Sequence, residues 1–196
     1  MQSSASPFLA EYMSTSAAAA AALANDADAM ATLQTMADHL VAAFRQGNRL
    51  YTAGNGGSAA DATHIAAEFL SRCHFDRPPL PAMALPSNAA ALTAFANDYG
   101  VESVFARQIQ ALGRPGDVLL ALSTSGNSPN ILRAVEAASA GGLTVLGFAG
   151  PTGGAMGALV PILLRAPARH PQIVQQLHMQ AGHALLGLVE YQMFRS

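Results

Sequence analysis

The chain has 196 residues, 51% hydrophobic and only 11% charged, which excludes a disordered, charge-solvated protein and favours one with much surface to bury. It contains no lysine, which excludes Schiff-base chemistry and a Walker-A phosphate loop, and its net charge of −2 with scattered arginines excludes a basic stripe for nucleic acid. The single cysteine, Cys73, excludes an internal disulfide and a thiolate metal cluster, and fits a reducing compartment.

The N-terminal segment contains an alanine run over residues 14–24 that looks like the core of a signal peptide. No basic residue precedes this run, since the first one is Arg45, and no apolar stretch reaches the roughly 20 residues of a membrane span. We therefore predict an alanine-rich helix here and a cytoplasmic protein. Neither a membrane nor a nucleic acid is expected as a partner.

In chain order, a helical pattern over residues 7–46, divided by a cap at Asn25 or Asp26, precedes five short apolar runs that alternate with helices. This alternation predicts an α/β fold, a doubly wound, five-stranded parallel sheet flanked by helices and preceded by a helical hairpin. A single domain is expected over residues 1–196, with N-terminal helices in 1–47 and the α/β core in 48–196. The predicted strands cover residues 49–53, 82–85, 117–122, 144–149 and 161–165, and the later helices cover 57–72, 92–112, 129–140 and 171–194.

The turn after the first predicted strand reads Gly-Asn-Gly-Gly-Ser over residues 54–58 and opens a helix. Its glycines let backbone N–H groups approach a ligand, and a helix N-terminus attracts an anion. An ordinary strand-to-helix turn is the alternative, and the spacing is not that of a dinucleotide fingerprint. Alone, this motif is weak evidence for an anion or sugar site.

A second loop, residues 123–129, reads Ser-Thr-Ser-Gly-Asn-Ser-Pro and follows another buried run. Ser128 before Pro129 is typical of an N-cap and a first helical position, so Ser128 has a purely structural alternative. Capping uses one hydroxyl, however, and the loop carries four. Hydroxyls and free N–H groups around a helix start favour a phosphate site.

His64 and Glu68 lie four residues apart in the predicted helix 57–72, so they share one face. An imidazole and a carboxylate at this spacing suit metal ligation or proton transfer. A surface hydrogen-bonded pair is the alternative. Their position on the helix opened by the glycine turn favours a functional role.

The last predicted helix carries polar residues among apolar neighbours, which need partners where they are buried. Helical geometry leaves open whether Gln175 or Gln176 accompanies His183. His178 is interpreted as a buried structural histidine. The histidines without a constellation are expected at the surface: His39, His74 and His170.

Five motifs occur in a specific order: G-N-G-G-S, A-x-H-x-x-x-E, A-N-D-Y-G, G-D-V-L-L-A-L-S-T-S-G-N-S and Q-x-x-H-x-x-x-x-H. In this set, over about residues 7–194, the chain resembles the sedoheptulose-7-phosphate isomerases, or phosphoheptose isomerases, which are single sugar-isomerase (SIS) domains. The resemblance implies a homotetramer with active sites at subunit interfaces. It also implies conversion of D-sedoheptulose 7-phosphate to D-glycero-D-manno-heptose 7-phosphate, the opening step towards ADP-heptose for the lipopolysaccharide core.

The resemblance further implies roles for individual residues. Glu68 matches the catalytic base, and His183 matches the catalytic acid/base. One zinc ion per subunit is implied at His64, Glu68, Gln175 and His183, which selects Gln175 over Gln176. Substrate contacts are implied at Asn55, Gly56, Gly57, Ser58, Glu68, Asn97, Asp98, Ser123, Thr124, Ser125, Ser128 and Gln175.

Two other classes of SIS protein are alternatives. Non-enzymatic proteins that bind the replication initiator are similar in length, fold and tetramer, but they generally lack the catalytic glutamate and final histidine that this chain keeps as Glu68 and His183. SIS-containing transcription regulators need a DNA-binding helical domain, and this class is dismissed because the first 45 residues here hold only one basic residue, Arg45. The enzyme is the preferred interpretation, with initiator binding as the alternative.

Overall fold

The computed structural model describes residues 6–195, in which a helical hairpin precedes a regular alternation of strands and helices. The predicted domain limits at residues 1 and 196 lie outside the described residues, so the extent of the domain stays a prediction. The strands are β1 (Leu50–Ala53), β2 (Ala82–Ala84), β3 (Val118–Ser123), β4 (Thr144–Ala149) and β5 (Ile162–Arg165). The helices are α1 (Pro7–Ala24), α2 (Ala27–Arg45), α3 (Gly57–Leu70), α4 (Ala89–Tyr99), α5 (Ala106–Leu112), α6 (Pro129–Ala140), α7 (Met156–Leu159) and α8 (Pro171–Phe194).

The five strands form one parallel sheet in the order β2-β1-β3-β4-β5, which confirms the predicted doubly wound architecture. All six residues of β3 are buried, as expected for a central strand covered on both faces. The strand order reverses between β1 and β3. In open α/β sheets a ligand crevice lies at the carboxyl ends of the strands at this point, so the turns after β1 and β3 flank it.

Two apolar layers cover the sheet. Buried residues of α1, α2, α3 and α8 pack on one face, and those of α5, α6 and α7 pack on the other. The hairpin turns at Asp26, whose carboxylate accepts hydrogen bonds from the backbone N–H groups of Asp28 and Ala29 at 2.9 and 3.1 Å. This N-cap starts α2 and identifies Asp26, rather than Asn25, as the cap. Within residues 6–195, no helix combines the length and the apolar character needed to cross a membrane.

The single helix predicted over residues 92–112 is wrong. The chain forms α4, a 3-10 turn at Val101–Ser103 and then α5, because Gly100 has φ 82° and ψ 151° and so interrupts the α-helical backbone. The prediction also omitted α7, whose four residues are too few to show a helical period in the sequence.

Candidate active site

The two turns at the carboxyl edge of the sheet are joined by a pair of amides. Asn55, in the turn after β1, donates its Nδ2 to Oδ1 of Asn130 at 2.8 Å, and Asn130 donates back to Asn55 Oδ1 at 2.8 Å. Asn130 is buried in the first turn of α6. Sequence reasoning missed Asn130, although an amide just inside a helix start is a usable signal. The pair fixes the glycine turn against the start of α6.

The serine loop, residues 123–128, begins at the end of β3, and the hydroxyls at its two ends lie close together. Ser123 Oγ lies 3.2 Å from Ser128 Oγ and accepts a hydrogen bond from the N–H of Gly126 at 3.1 Å. Ser128 holds the N-cap position of α6, but its side chain makes no capping hydrogen bond. The Ser128 hydroxyl therefore does not cap α6, which was its structural alternative.

The residues at the start of α7 form hydrogen bonds with the serine loop. Asn127 Oδ1 accepts a hydrogen bond from the N–H of Ala155 at 2.8 Å, and the N–H of Met156 donates to the carbonyl of Gly126 at 3.0 Å. Ser125 Oγ accepts from the N–H of Asn127 at 3.1 Å. Asn127 is a second residue that sequence reasoning missed. Its partner lies 28 residues away, so no local pattern reveals it.

Helices α3 and α8 bring together three of the predicted catalytic and metal-binding side chains. His64 Nε2 lies 3.2 Å from Glu68 Oε1 and 3.2 Å from His183 Nε2, and His183 Nε2 lies 3.5 Å from Glu68 Oε2. Glu68 is the least exposed of the three, with 24% of its side chain accessible against 51% for His64 and 45% for His183. The cluster is therefore open on one side to a small solute.

The spacing of the cluster fits a tetrahedral metal ion. Its three ligand atoms lie within 4.8 Å of one another. Zinc bound tetrahedrally at about 2.0 to 2.1 Å places its ligands about 3.3 Å apart. The two histidine Nε2 atoms are 3.2 Å apart, and each lies near a different oxygen of Glu68, His64 at 3.2 Å from Oε1 and His183 at 3.5 Å from Oε2. Glu68 Oε2 is also buried without a hydrogen-bond partner, as a carboxylate oxygen awaiting a cation or a proton would be.

The structure separates the two glutamines that helical geometry could not. The amide of Gln175 lies over the start of α3, where a Cβ atom added at Gly57 would come within 2.5 Å of its Nε2. Gln176 points to α1 instead, accepting a hydrogen bond from Ser16 Oγ at 2.6 Å and donating to the hydroxyl of Tyr12 at 3.1 Å. Only Gln175 therefore faces the helix that carries His64 and Glu68.

Two further titratable groups lie near the site. His178 is fully buried, donates from Nε2 to the carbonyl of Ala149 at 3.2 Å, and has its pKa lowered to about 4 because burial disfavours the charged ring more than the hydrogen bond favours it. This agrees with a structural histidine. Asp61 lies one turn before His64, and burial raises its pKa to about 6 against the opposing effect of His64.

The remaining predicted residues lie at the margins. Ser58 is buried in the first turn of α3. Asn97 and Asp98 lie exposed near the end of α4, where Asn97 Nδ2 donates to Asp98 Oδ1 at 2.7 Å, and no contact described above joins them to the cluster. The histidines predicted at the surface are exposed, as expected: His39, His74 and His170.

Comparison with known proteins gives a consistent result. The sequence model of the SIS domain family matches residues 11–150. The chain is similar to the phosphoheptose isomerase of Burkholderia pseudomallei (strain 1710b), 51% identical over 89% of this chain and 88% of the relative. It is similar to the Bradyrhizobium phosphoheptose isomerase, 46% identical over 97% and 96% of the two chains. Among solved structures, phosphoheptose isomerase GmhA from Neisseria gonorrhoeae superposes with a TM-score of 0.87 at 34% identity, over 93% and 96% of the chains.

Proposed function

The chain belongs to the phosphoheptose isomerases of the SIS domain family, and on that premise we propose that it is an aldose–ketose isomerase acting on a phosphorylated heptose. The reaction is the conversion of D-sedoheptulose 7-phosphate to D-glycero-D-manno-heptose 7-phosphate, the first step towards ADP-heptose and the lipopolysaccharide core. The observation that carries this function is the contact between Glu68 and His183 beside the ligand crevice. The named relatives are enzymes, so the initiator-binding alternative is not favoured.

The chemistry requires two proton transfers, one between C1 and C2 of the sugar and one between their oxygens, through an enediol. Glu68 is suited to the carbon-bound proton, because Oε2 is buried and has no hydrogen-bond donor to compete for its lone pairs. His183, within 3.5 Å of that oxygen, is suited to exchange a proton with the sugar oxygens. His64 holds Oε1 at 3.2 Å, which fixes the orientation of the carboxylate.

The serine loop is suited to the substrate phosphate. It carries hydroxyls from Ser123, Ser125 and Ser128 beside the N-terminus of α6, where the helix dipole favours an anion. The chain has no lysine, and hydroxyl and backbone N–H groups are proposed to bind the phosphate in place of a lysine ammonium. We propose the same role for Thr124 and for the glycine turn that contains Asn55.

Zinc is part of the proposal, at one ion per subunit. The proposal is supported by His64, Glu68 and His183, which offer one ligand atom each within 4.8 Å of one another, and Gln175 on α8 is proposed as a fourth ligand. When bound, zinc supplies a Lewis acid that polarises the sugar carbonyl. Glu68 is both a proposed ligand and the proposed base, and its two carboxylate oxygens allow one to hold the ion while the other takes the proton.

We also propose a homotetramer in the cytoplasm. Charged residues make up 11% of the chain, and several large apolar side chains of α1 and the α4 region are exposed, as expected for surfaces that another copy covers. The residues concerned are Phe8, Leu9, Met13, Tyr99 and Val101, which are 53 to 70% exposed. Multi-angle light scattering on the purified protein tests the tetramer directly.

The decisive experiment is turnover of sedoheptulose 7-phosphate by the purified protein, before and after chelation and after zinc is added back. Turnover that zinc restores supports both the isomerase and the metal site. Turnover that survives chelation contradicts the role of zinc and leaves Glu68 and His183 as an acid/base pair. No turnover in either condition would refute the isomerase.

A further inference from the structure

A buried ion pair lies beneath the catalytic cluster, outside the residues assigned so far. Arg77, in the segment between α3 and β2, donates from Nε to Oε1 of Glu190 on α8 at 2.9 Å. Their side chains are 1% and 0% exposed. Burying two charges this deeply has a large desolvation cost, which is offset only when all their polar atoms have partners. The hydrogen bonds of the pair therefore indicate what it does in the fold.

The pair is connected on both sides to the end of α3. Arg77 donates from Nη1 to the carbonyl of Phe69 at 2.7 Å and from Nη2 to the carbonyl of Glu68 at 2.9 Å, which satisfies two carbonyls that a helix end leaves without partners. Glu190 accepts from the N–H groups of Cys73 and His74 at 2.8 and 2.9 Å. Burial raises the pKa of Glu190, but these two N–H groups and Arg77 outweigh burial and hold it below its usual range.

Helices α3 and α8 are parallel neighbours, and the ion pair links the C-terminal end of α3 to the C-terminal part of α8. Gln175 lies beside Gly57, and a Cβ atom at Gly182 would come within 2.9 Å of Ile65 Cδ1, so the helices are already in tight contact near the cluster. Glu190 lies seven residues after His183, two turns along the same face. The pair thus contacts α3 at the backbone carbonyl of Glu68, and it contacts α8 at a position two turns beyond His183.

We propose that Arg77 and Glu190 are positioning residues that set the separation of Glu68 and His183. The guanidinium holds the backbone of Glu68 itself, while its carboxylate partner fixes the helix that carries His183. An apolar pair could fill the same space at no loss of stability, but it could not bond the last carbonyls of α3 and the following turn together. This inference rests on the proposed isomerase function.

Glu190→Gln tests the proposal, because the amide keeps the shape and one acceptor but loses the charge. We expect kcat for sedoheptulose 7-phosphate to fall about 10- to 100-fold, the usual effect of removing a group that orients a site residue, and zinc affinity to weaken with it. KM should stay unchanged, because the serine loop belongs to other elements of the fold. A crystal structure of the variant should show a longer separation between Glu68 and His183.

Asp117→Asn is the matched control. Asp117 is also a buried carboxylate that accepts two backbone N–H bonds, from Arg49 at 2.8 Å and Arg114 at 2.9 Å, but it lies at the start of β3, on the amino edge of the sheet. Its loss should lower the melting temperature and leave kcat unchanged. A fall in kcat of the same size in both variants would overturn a positioning role, because general destabilisation would then explain the effect.

Arg77→Lys gives a second variant should Glu190→Gln fail to fold. Lysine keeps the charge that Glu190 needs, but its single ammonium cannot reproduce the planar fork that reaches Glu190 and two carbonyls. We expect the fold to survive and kcat to fall at constant KM. Unchanged kcat and an unchanged Glu68–His183 separation would overturn the inference. An inactive wild-type chain would refute the isomerase alone, since the separation and the zinc affinity of the variants would still decide the positioning role.

Discussion

The burial of His178 leads to a quantitative prediction about how the free energy of unfolding depends on pH. Its ring is fully buried with a pKa of about 4, whereas an unfolded chain would protonate it near the ordinary value of about 6.5. Below pH 6.5 the unfolded state therefore binds a proton that the native state does not bind. The free energy of unfolding consequently falls as the pH falls towards 4. A difference of about 2.5 pKa units corresponds to about 3 kcal/mol, of which about 2 kcal/mol should be lost by pH 4.5.

The assay is urea unfolding at pH 7 and pH 4.5, at one protein concentration because an oligomer's stability depends on it. His178→Gln is the control, since glutamine can still donate to the carbonyl of Ala149 but does not titrate. We expect the wild type to lose about 2 kcal/mol more than His178→Gln between the two pH values. Equal losses in the two proteins would refute the argument, because the burial of His178 would then have no part in acid unfolding.

Three further predictions concern the site. Glu68→Gln should lower kcat by roughly 100-fold or more at an unchanged melting temperature, because it removes a base but little volume; activity near the wild-type value in a steady-state assay would contradict the assigned base. Ser123→Ala with Ser128→Ala should weaken binding of the phosphorylated ketose about 10-fold or more by calorimetry, and unchanged affinity would place the phosphate elsewhere. Gly57→Ala should displace the Gln175 amide, because the added Cβ would come within 2.5 Å of its Nε2, and should therefore weaken zinc binding, measured by competition with a chelator. In a Gln175→Ala background the same change should have no further effect on zinc; an additive loss would contradict the proposed contact.

The sheet and its edge loops were predictable because their signals are local. Apolar runs of strand length bounded by glycine and serine identify strands that end in turns, and the parallel order places those turns at one edge. The four-residue spacing of His64 and Glu68 likewise determines a shared helix face without any tertiary information. The break at Gly100 was missed because apolar residues continue on both sides of it, whereas the positive φ of that glycine ends α4 and a 3-10 turn at Val101–Ser103 precedes α5.

The roles of several buried polar side chains were not predictable, because their hydrogen-bond partners are distant in the chain. Gln175 and Gln176 are adjacent on α8, and only the packing of α1 against α8 shows that Gln176 is occupied elsewhere. Asn130 needs Asn55, which lies 75 residues away, and Arg77 needs Glu190, which lies 113 residues away. A buried polar residue is recognisable in sequence only when its partner is local, and none of these partners is.

The parallel contact of α3 with α8 has a consequence for how the protein comes into being. His64 and His183 are 119 residues apart, and α8 also supplies core side chains from Ile173 to Val189 against the sheet. One helix thus completes both the hydrophobic core and the proposed site cluster of His64, Glu68 and His183. A chain on the ribosome that still lacks α8 has only α1, α2 and α3 on this face of the sheet, so both its core layer and the cluster around His64 are incomplete. We therefore expect the core and the proposed site to be completed in one step, after α8 has left the ribosome.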